Sequence, residues 1–173
     1  MTTDKSYYVK RVLDSDDIED LLCEYRERDR EVSLVYNGEY GGKKSKVRTS
    51  TKVKINSDVY PDISSKINGL VTFYGRDPAF YSPHEMDLLH YGVGGKFLKH
   101  TDRVYNGRPP RLYTTVTLLR RSEDLVGGDF MINDEKVPLN VGDTVILKSD
   151  VEHEVKEVVS GERYSMVIWI YAK

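Results

Sequence analysis

The sequence predicts a mostly β domain of α+β class, with a sandwich or barrel of jelly-roll type as its core and helices supporting it on the N-terminal side. Beyond Pro83 the chain falls into short apolar or alternating runs separated by glycine and proline, the pattern of many short strands. Ahead of Pro83, two stretches instead repeat apolar residues at helical spacing. The 173 residues fit one domain large enough to bury a core. It divides into a supporting segment over 1–84 and the β core over 85–173.

From Asp14 to about Arg28, Ile18, Leu21, Leu22 and Tyr25 recur at helical intervals, with Asp14 or Ser15 as cap and acidic residues in the first turn. Val32 to Tyr36 reads as a strand. The stretch Asn37 to Lys46 then combines three glycines with Lys43, Lys44 and Lys46, and Arg48, Lys52 and Lys54 prolong the basic run. Two readings of the segment at about 37–50 stand together: a mobile lid that grips substrate, or a solvated hairpin connection. A nucleic-acid groove is the weaker reading, because Tyr40 is the one stacking platform in the run.

Ile63, Ile67, Leu70 and Val71 form the stripe of a second helix between Pro61 and Phe73. Strands follow at Met86 to Tyr91, Leu112 to Leu119, Asp129 to Ile132, Thr144 to Leu147, Val155 to Val159 and Tyr164 to Tyr171. Gly127, Gly128 and Gly142 lie between strands, where tight hairpins or positive φ are needed, and are read as elements of fold alone. Val167, Ile168, Trp169 and Ile170 are assigned to the core.

A formal net charge of -2 argues against a globally basic nucleic-acid binder. Cys23 is the only cysteine, so no intramolecular disulfide forms, which suits a reducing compartment. The start of the chain is polar and no apolar run is long enough for a signal peptide or a bilayer span, so the expectation is an intracellular, cytoplasmic protein with no membrane partner.

The chemistry concentrates in a few polar residues. His100 and Asp102 stand two apart, and on a strand such residues share a face while Thr101 points away. An imidazole from the distant His153 would complete a two-histidine, one-carboxylate triad, which leaves positions of an Fe(II) octahedron open for substrate and oxygen. Arg163 and Ser165 repeat the two-residue spacing. A guanidinium there can grip a carboxylate through two parallel hydrogen bonds, with the hydroxyl as a third donor.

The segment His90-Tyr91-Gly92-Val93-Gly94-Gly95-Lys96-Phe97-Leu98-Lys99-His100-Thr101-Asp102 resembles the strand, glycine turn and HxD motif of 2-oxoglutarate and Fe(II)-dependent oxygenases, above all the prolyl 4-hydroxylase branch. Arg111-Leu112-Tyr113-Thr114, Gly127-Gly128-Asp129-Phe130, Val141 to Leu147, His153-Glu154-Val155 and Gly161 to Ser165 follow in the order of that family. In the front third, Arg48-Thr49-Ser50 is similar to the same branch. The resemblance implies a double-stranded β-helix, a cupin-like jelly roll, with iron held by His100, Asp102 and His153 inside one mouth. Glu154 would face away on its strand.

The resemblance further implies 2-oxoglutarate as cosubstrate, bound by Arg163 and Ser165, with the Tyr91 phenol turned to cosubstrate or substrate. Arg111 and Arg48 would lie on the substrate side, although a surface ion pair explains Arg111 equally well. Thr114 or Thr117 would face the cosubstrate, but on one regular strand not both. One departure stands out: Leu118-Leu119 occupies the place where the branch carries tyrosine before leucine, a lost phenol for which Ser165 could compensate.

The implied activity is a dioxygenase that hydroxylates a prolyl residue in a peptide or protein, consumes molecular oxygen and releases succinate and carbon dioxide, with ascorbate as a candidate reductant. Alternatives are a related oxygenase acting on another amino acid, a small molecule or a nucleobase, and a non-catalytic barrel that only binds.

Overall fold

In the computed structural model, residues 6–32, 48–75, 82–103 and 110–172 are described; the expected strand over 33–36 and most of the expected lid, 37–47, lie outside them. Strand β1 (Tyr7–Arg11) leads into helix α1 (Ser15–Glu27), which opens on a capping box. The Asp14 carboxylate accepts from the Asp16 and Asp17 amides, and Asp17 accepts in return from the Asp14 amide, so these three donors at the helix start are satisfied by the sequence itself. The short strands β2 (Glu31–Val32), β3 (Arg48–Thr49) and β4 (Thr51–Asn56) precede helix α2 (Pro61–Gly75), whose first residue is a proline that needs no amide partner there.

The rest of the chain is strand: β5 (Ser82–Tyr91), β6 (Lys96–His100), β7 (Arg111–Arg121), β8 (Val126–Gly127), β9 (Phe130–Ile132), β10 (Glu135–Lys136), β11 (Asp143–Lys148), β12 (His153–Val155), β13 (Val158–Ser160) and β14 (Arg163–Tyr171). Among the described residues these form a large antiparallel sheet in the order β1-β11-β7-β14-β5-β4-β2 and a smaller one in the order β10-β9-β12-β6-β3. This is the expected mostly β sandwich, and the sheet crossings make it a jelly roll.

Strand alternation sorts the apolar residues into two layers. Ile146, Met86, Leu88 and Ile168 face the helices, where they pack with Ile18, Leu21, Leu22 and Tyr25 of α1 and Ile63, Ile67, Leu70 and Val71 of α2. Their neighbours Val145, Leu147, Leu89, Tyr91 and Val167 turn the other way, against Phe130, Ile132 and Val155 of the smaller sheet. The central strands are apolar on both sides because both sides are covered. Truncating Leu147, which is wholly buried, to alanine would cost about 2 to 5 kcal/mol.

Several boundaries differ from the sequence expectation. The strand expected at Val155 to Val159 is two strands, because the chain changes partners there. β12 pairs with β9 and β6, whereas β13 pairs with β8. Lys52 and Lys54, taken as a continuation of a basic loop, lie on β4, alternating with the buried Val53 and Ile55. Among the described residues no helix is long and apolar enough to cross a membrane.

Candidate active site

The site is assembled where the smaller sheet faces the large one. His100 ends β6 and lies directly across from His153 at the start of β12, so two imidazoles meet as a cross-strand pair with ring centroids 4.3 Å apart. Asp102 falls just beyond the end of β6, where its amide donates to the Ser149 carbonyl at 2.8 Å. The two-residue spacing therefore works through a hydrogen-bonded segment just past a strand end and not a continuous strand. Candidate ligand atoms of His100, Asp102 and His153 all lie within 4.8 Å of one another.

Hydrogen bonds aim these atoms. Nδ1 of His100 lies 2.7 Å from the Leu98 carbonyl and Nδ1 of His153 lies 3.0 Å from the Val151 carbonyl. A ring that donates from Nδ1 carries a free lone pair on Nε2, the tautomer a metal needs. Both Nε2 atoms face the carboxylate, at 3.5 Å from Oδ1 for His100 and 3.3 Å from Oδ2 for His153. The buried Nε2 of His100 has no hydrogen-bond partner among the described residues. An orphaned nitrogen beside a second imidazole and a buried carboxylate fits a divalent cation such as Fe(II).

Asp102 is fixed from behind. Its Oδ2 accepts from the Thr114 hydroxyl at 2.7 Å and from the Trp169 indole at 3.1 Å. Burial pushes this carboxyl up, but the imidazoles of His100 and His153 outweigh burial and hold it well below the usual carboxylate range. Burial likewise pushes His153 down, and the Asp102 carboxylate reverses the sign, raising its pKa.

Arg163 opens β14 opposite Tyr91, with its guanidinium 5.9 Å from the centre of that ring. It is 3% exposed, donates from Nη1 to the Gly128 carbonyl, and has no partner for Nε among the described residues. Burial lowers its pKa, opposed by Tyr91 and Asp129. A buried guanidinium with an unpartnered N–H is a candidate anion site, since burying an uncompensated charge is costly. Ser165 shares its face and is also buried.

Several expectations are refined. Trp169 packs against the core as expected and in addition donates to Asp102, a candidate metal ligand; the available signal was that residues 163, 165, 167 and 169 share one face of a strand. Gly128, read as fold only, positions Arg163 through its carbonyl. Thr114 donates to Asp102, and Thr117 pairs with Thr144. Arg111 lies over the Trp169 ring at 4.3 Å and donates to Tyr171, a stacked arrangement in place of the surface ion pair. Arg48 is buried over Phe97, at 4.6 Å, and Phe97 in turn stacks on His100. Glu154 stands outside the cluster and pairs with Lys156 at 2.7 Å.

A family model described as the 2OG-Fe(II) oxygenase superfamily matches residues 86–171, which contain the whole triad and Arg163. The chain belongs to that superfamily. A PKHD-type hydroxylase of Prochlorococcus marinus (strain MIT 9211) is 30% identical over 139 residues, covering 75% of this oxygenase chain and 62% of the relative. The chain thus spans less than two thirds of that relative's length. Among solved structures, the viral collagen prolyl hydroxylase of Paramecium Bursaria Chlorella virus-1, in complex with 2OG, superposes with a TM-score of 0.75 at 17% identity, covering 98% of this chain and 97% of that one. A Pseudomonas putida prolyl-4-hydroxylase gives 0.72 at 20% identity, covering 97% and 93%. At these identities the structures establish the fold, the double-stranded β-helix of the oxygenases.

Proposed function

We propose that this chain, acting as one oxygenase domain over 1–173, is a cytoplasmic 2-oxoglutarate- and Fe(II)-dependent dioxygenase that hydroxylates a prolyl residue of a peptide or protein. The carrying observation is a His-Asp-His cluster, with Asp102 and His153 buried, whose His153 ring packs on Phe130 of the same apolar layer as Tyr91, the ring beneath the buried Arg163 guanidinium. The prolyl part rests on the PKHD-type relatives and on the prolyl hydroxylases among the structural neighbours.

His100, Asp102 and His153 would hold the iron through both Nε2 atoms and Oδ1, since Oδ2 is engaged by Thr114 and Trp169. Arg163 would bind the distal carboxylate of 2-oxoglutarate, with Ser165 and the Tyr91 phenol as further donors. Ser165 sits directly across from Leu118, so its hydroxyl stands beside the place where the branch carries a phenol. When bound, iron and 2-oxoglutarate supply the oxidative decarboxylation to succinate and carbon dioxide and the hydroxylating power. The apolar layer of Leu89, Leu118, Val145 and Val167 keeps water from this space. Arg111, over the Trp169 ring, and Arg48, over the Phe97 ring, would frame the substrate beside the metal.

The test is incubation of the chain with Fe(II), 2-oxoglutarate and ascorbate, followed by mass spectrometry of a diverse peptide library. Succinate release with the mass of one oxygen atom added on proline is the expected result. Oxygen gained only on other residues, or on no peptide, rejects the prolyl reading.

A further inference from the structure

One buried carboxylate has no part in holding iron or cosubstrate. Asp87 of β5 shares a face with Leu89 and Tyr91, which line the space between the sheets, and its cross-strand partners are Val167 of β14 and Lys54 of β4. The residue is 1% exposed, yet among the described residues Oδ1 has no hydrogen-bond partner, and Oδ2 is 3.7 Å from Lys52 Nζ, too far for a hydrogen bond. Burial pushes its pKa up, and this outweighs the opposing pull of Lys52, Lys54 and Arg48. A buried acceptor without a donor is costly, and a ligand that brings one relieves the cost.

Its position identifies the ligand. Val167, opposite Asp87, is two residues from Trp169 on the same face of β14, about 7 Å along the strand. Trp169 grips the metal-ligand Asp102. From the smaller sheet, Arg48 covers Phe97 and Phe97 stacks on His100. Asp87, Lys52, Arg48 and Phe97 therefore flank the side of the metal centre away from Thr114.

We propose that Asp87 is a substrate-binding residue whose open oxygen accepts a hydrogen bond from a backbone amide N–H of the peptide undergoing oxidation. With Lys52 and Arg48 already facing this carboxylate, a neutral N–H donor fits where a further cation would meet repulsion. The assignment rests on the peptide-oxygenase reading and names how that substrate is held.

The full chain, loaded with Mn(II) and 2-oxoglutarate without oxygen, is titrated calorimetrically with a short proline-containing peptide, its alanine counterpart and free L-proline. Both peptides are expected to bind wild type more tightly than free proline. Asp87→Leu should weaken both by about 10- to 100-fold, while Asp87→Asn, which keeps a carbonyl acceptor, stays within about threefold. Should Asp87→Leu fail to fold, a shift of the carboxylate infrared band on adding peptide to wild type, absent in Asp87→Asn, makes the same test. Unaltered peptide binding in Asp87→Leu, or no band shift, overturns the assignment. So does wild type binding neither peptide. Tighter binding of free proline, lost equally in both variants, would show an ammonium partner and reject the amide. Peptides that bind through Asp87 yet gain no oxygen on proline reject only the prolyl reaction.

Discussion

Replacing Arg163 by methionine separates its proposed role from a structural one. The guanidinium is 3% exposed and its Nε has no hydrogen-bond partner among the described residues. Exchanging a buried, unpaired charge for an apolar side chain of similar reach is often neutral or stabilising, so the melting temperature of the unliganded variant should not fall. The cost appears with the cosubstrate. Losing one member of a buried, hydrogen-bonded charge pair removes about 2 to 4 kcal/mol, a rise in the dissociation constant of about 30- to 1,000-fold.

Take the hundredfold case. At 2-oxoglutarate one hundred times the wild-type dissociation constant, binding stabilises wild type by about 2.7 kcal/mol and the variant by about 0.4 kcal/mol. For a chain of this length the difference of about 2.3 kcal/mol is about 5 to 9 °C of lost ligand-induced shift in a thermal melt. Calorimetry of 2-oxoglutarate binding to the Mn(II)-loaded protein gives the same quantity directly. A variant that melts several degrees lower without ligand but keeps its full ligand shift would refute the argument and make Arg163 a structural residue.

Trp169→Phe and Thr114→Val each remove one donor to Asp102 Oδ2 and should weaken divalent-metal binding by about 10- to 100-fold by equilibrium dialysis; undiminished affinity in both would dismiss their supporting role. Metal affinity should drop as pH falls, because the metal needs a neutral His153 and the raised pKa of that residue lets protons compete from higher pH than for a free imidazole. In the metal-free protein the same His153–Asp102 pair acts oppositely. Its stabilisation is full below the unfolded histidine value of about 6.5 and disappears as pH rises through the raised folded value. A metal affinity that is flat with pH would contradict the coupling. Gly127→Ala should cost about 2 kcal/mol or more in denaturant unfolding, since φ is +78° and a Cβ would overlap the Glu157 carbonyl; an unchanged midpoint would show that the β8–β13 ribbon yields freely.

Local chemistry determined much of this protein from its sequence. The α1 and α2 stripes are read directly because helical spacing makes a buried face visible in one dimension, and α1 even carries its own capping box. The triad was equally legible, since metal ligands are few residue types and the spacing of His100 and Asp102 is short. Strand limits around β12 and β13 were not, because the break is set by a change of pairing partner that no local pattern encodes.

Tertiary structure alone decided what surrounds the triad. Trp169 and Val167 look alike as apolar members of one strand, and only the approach of Asp102 from beyond the end of a distant strand turns the indole into a donor to a candidate metal ligand. Lys52 and Asp87 are ordinary charges in the sequence; burial between two sheets, where few partners can reach, gives one carboxylate oxygen its unmet demand. Residue type and spacing carry the chemistry available to the chain, whereas the pairing of remote segments sets dielectric, orientation and partnership, and these depend on contacts far apart in sequence.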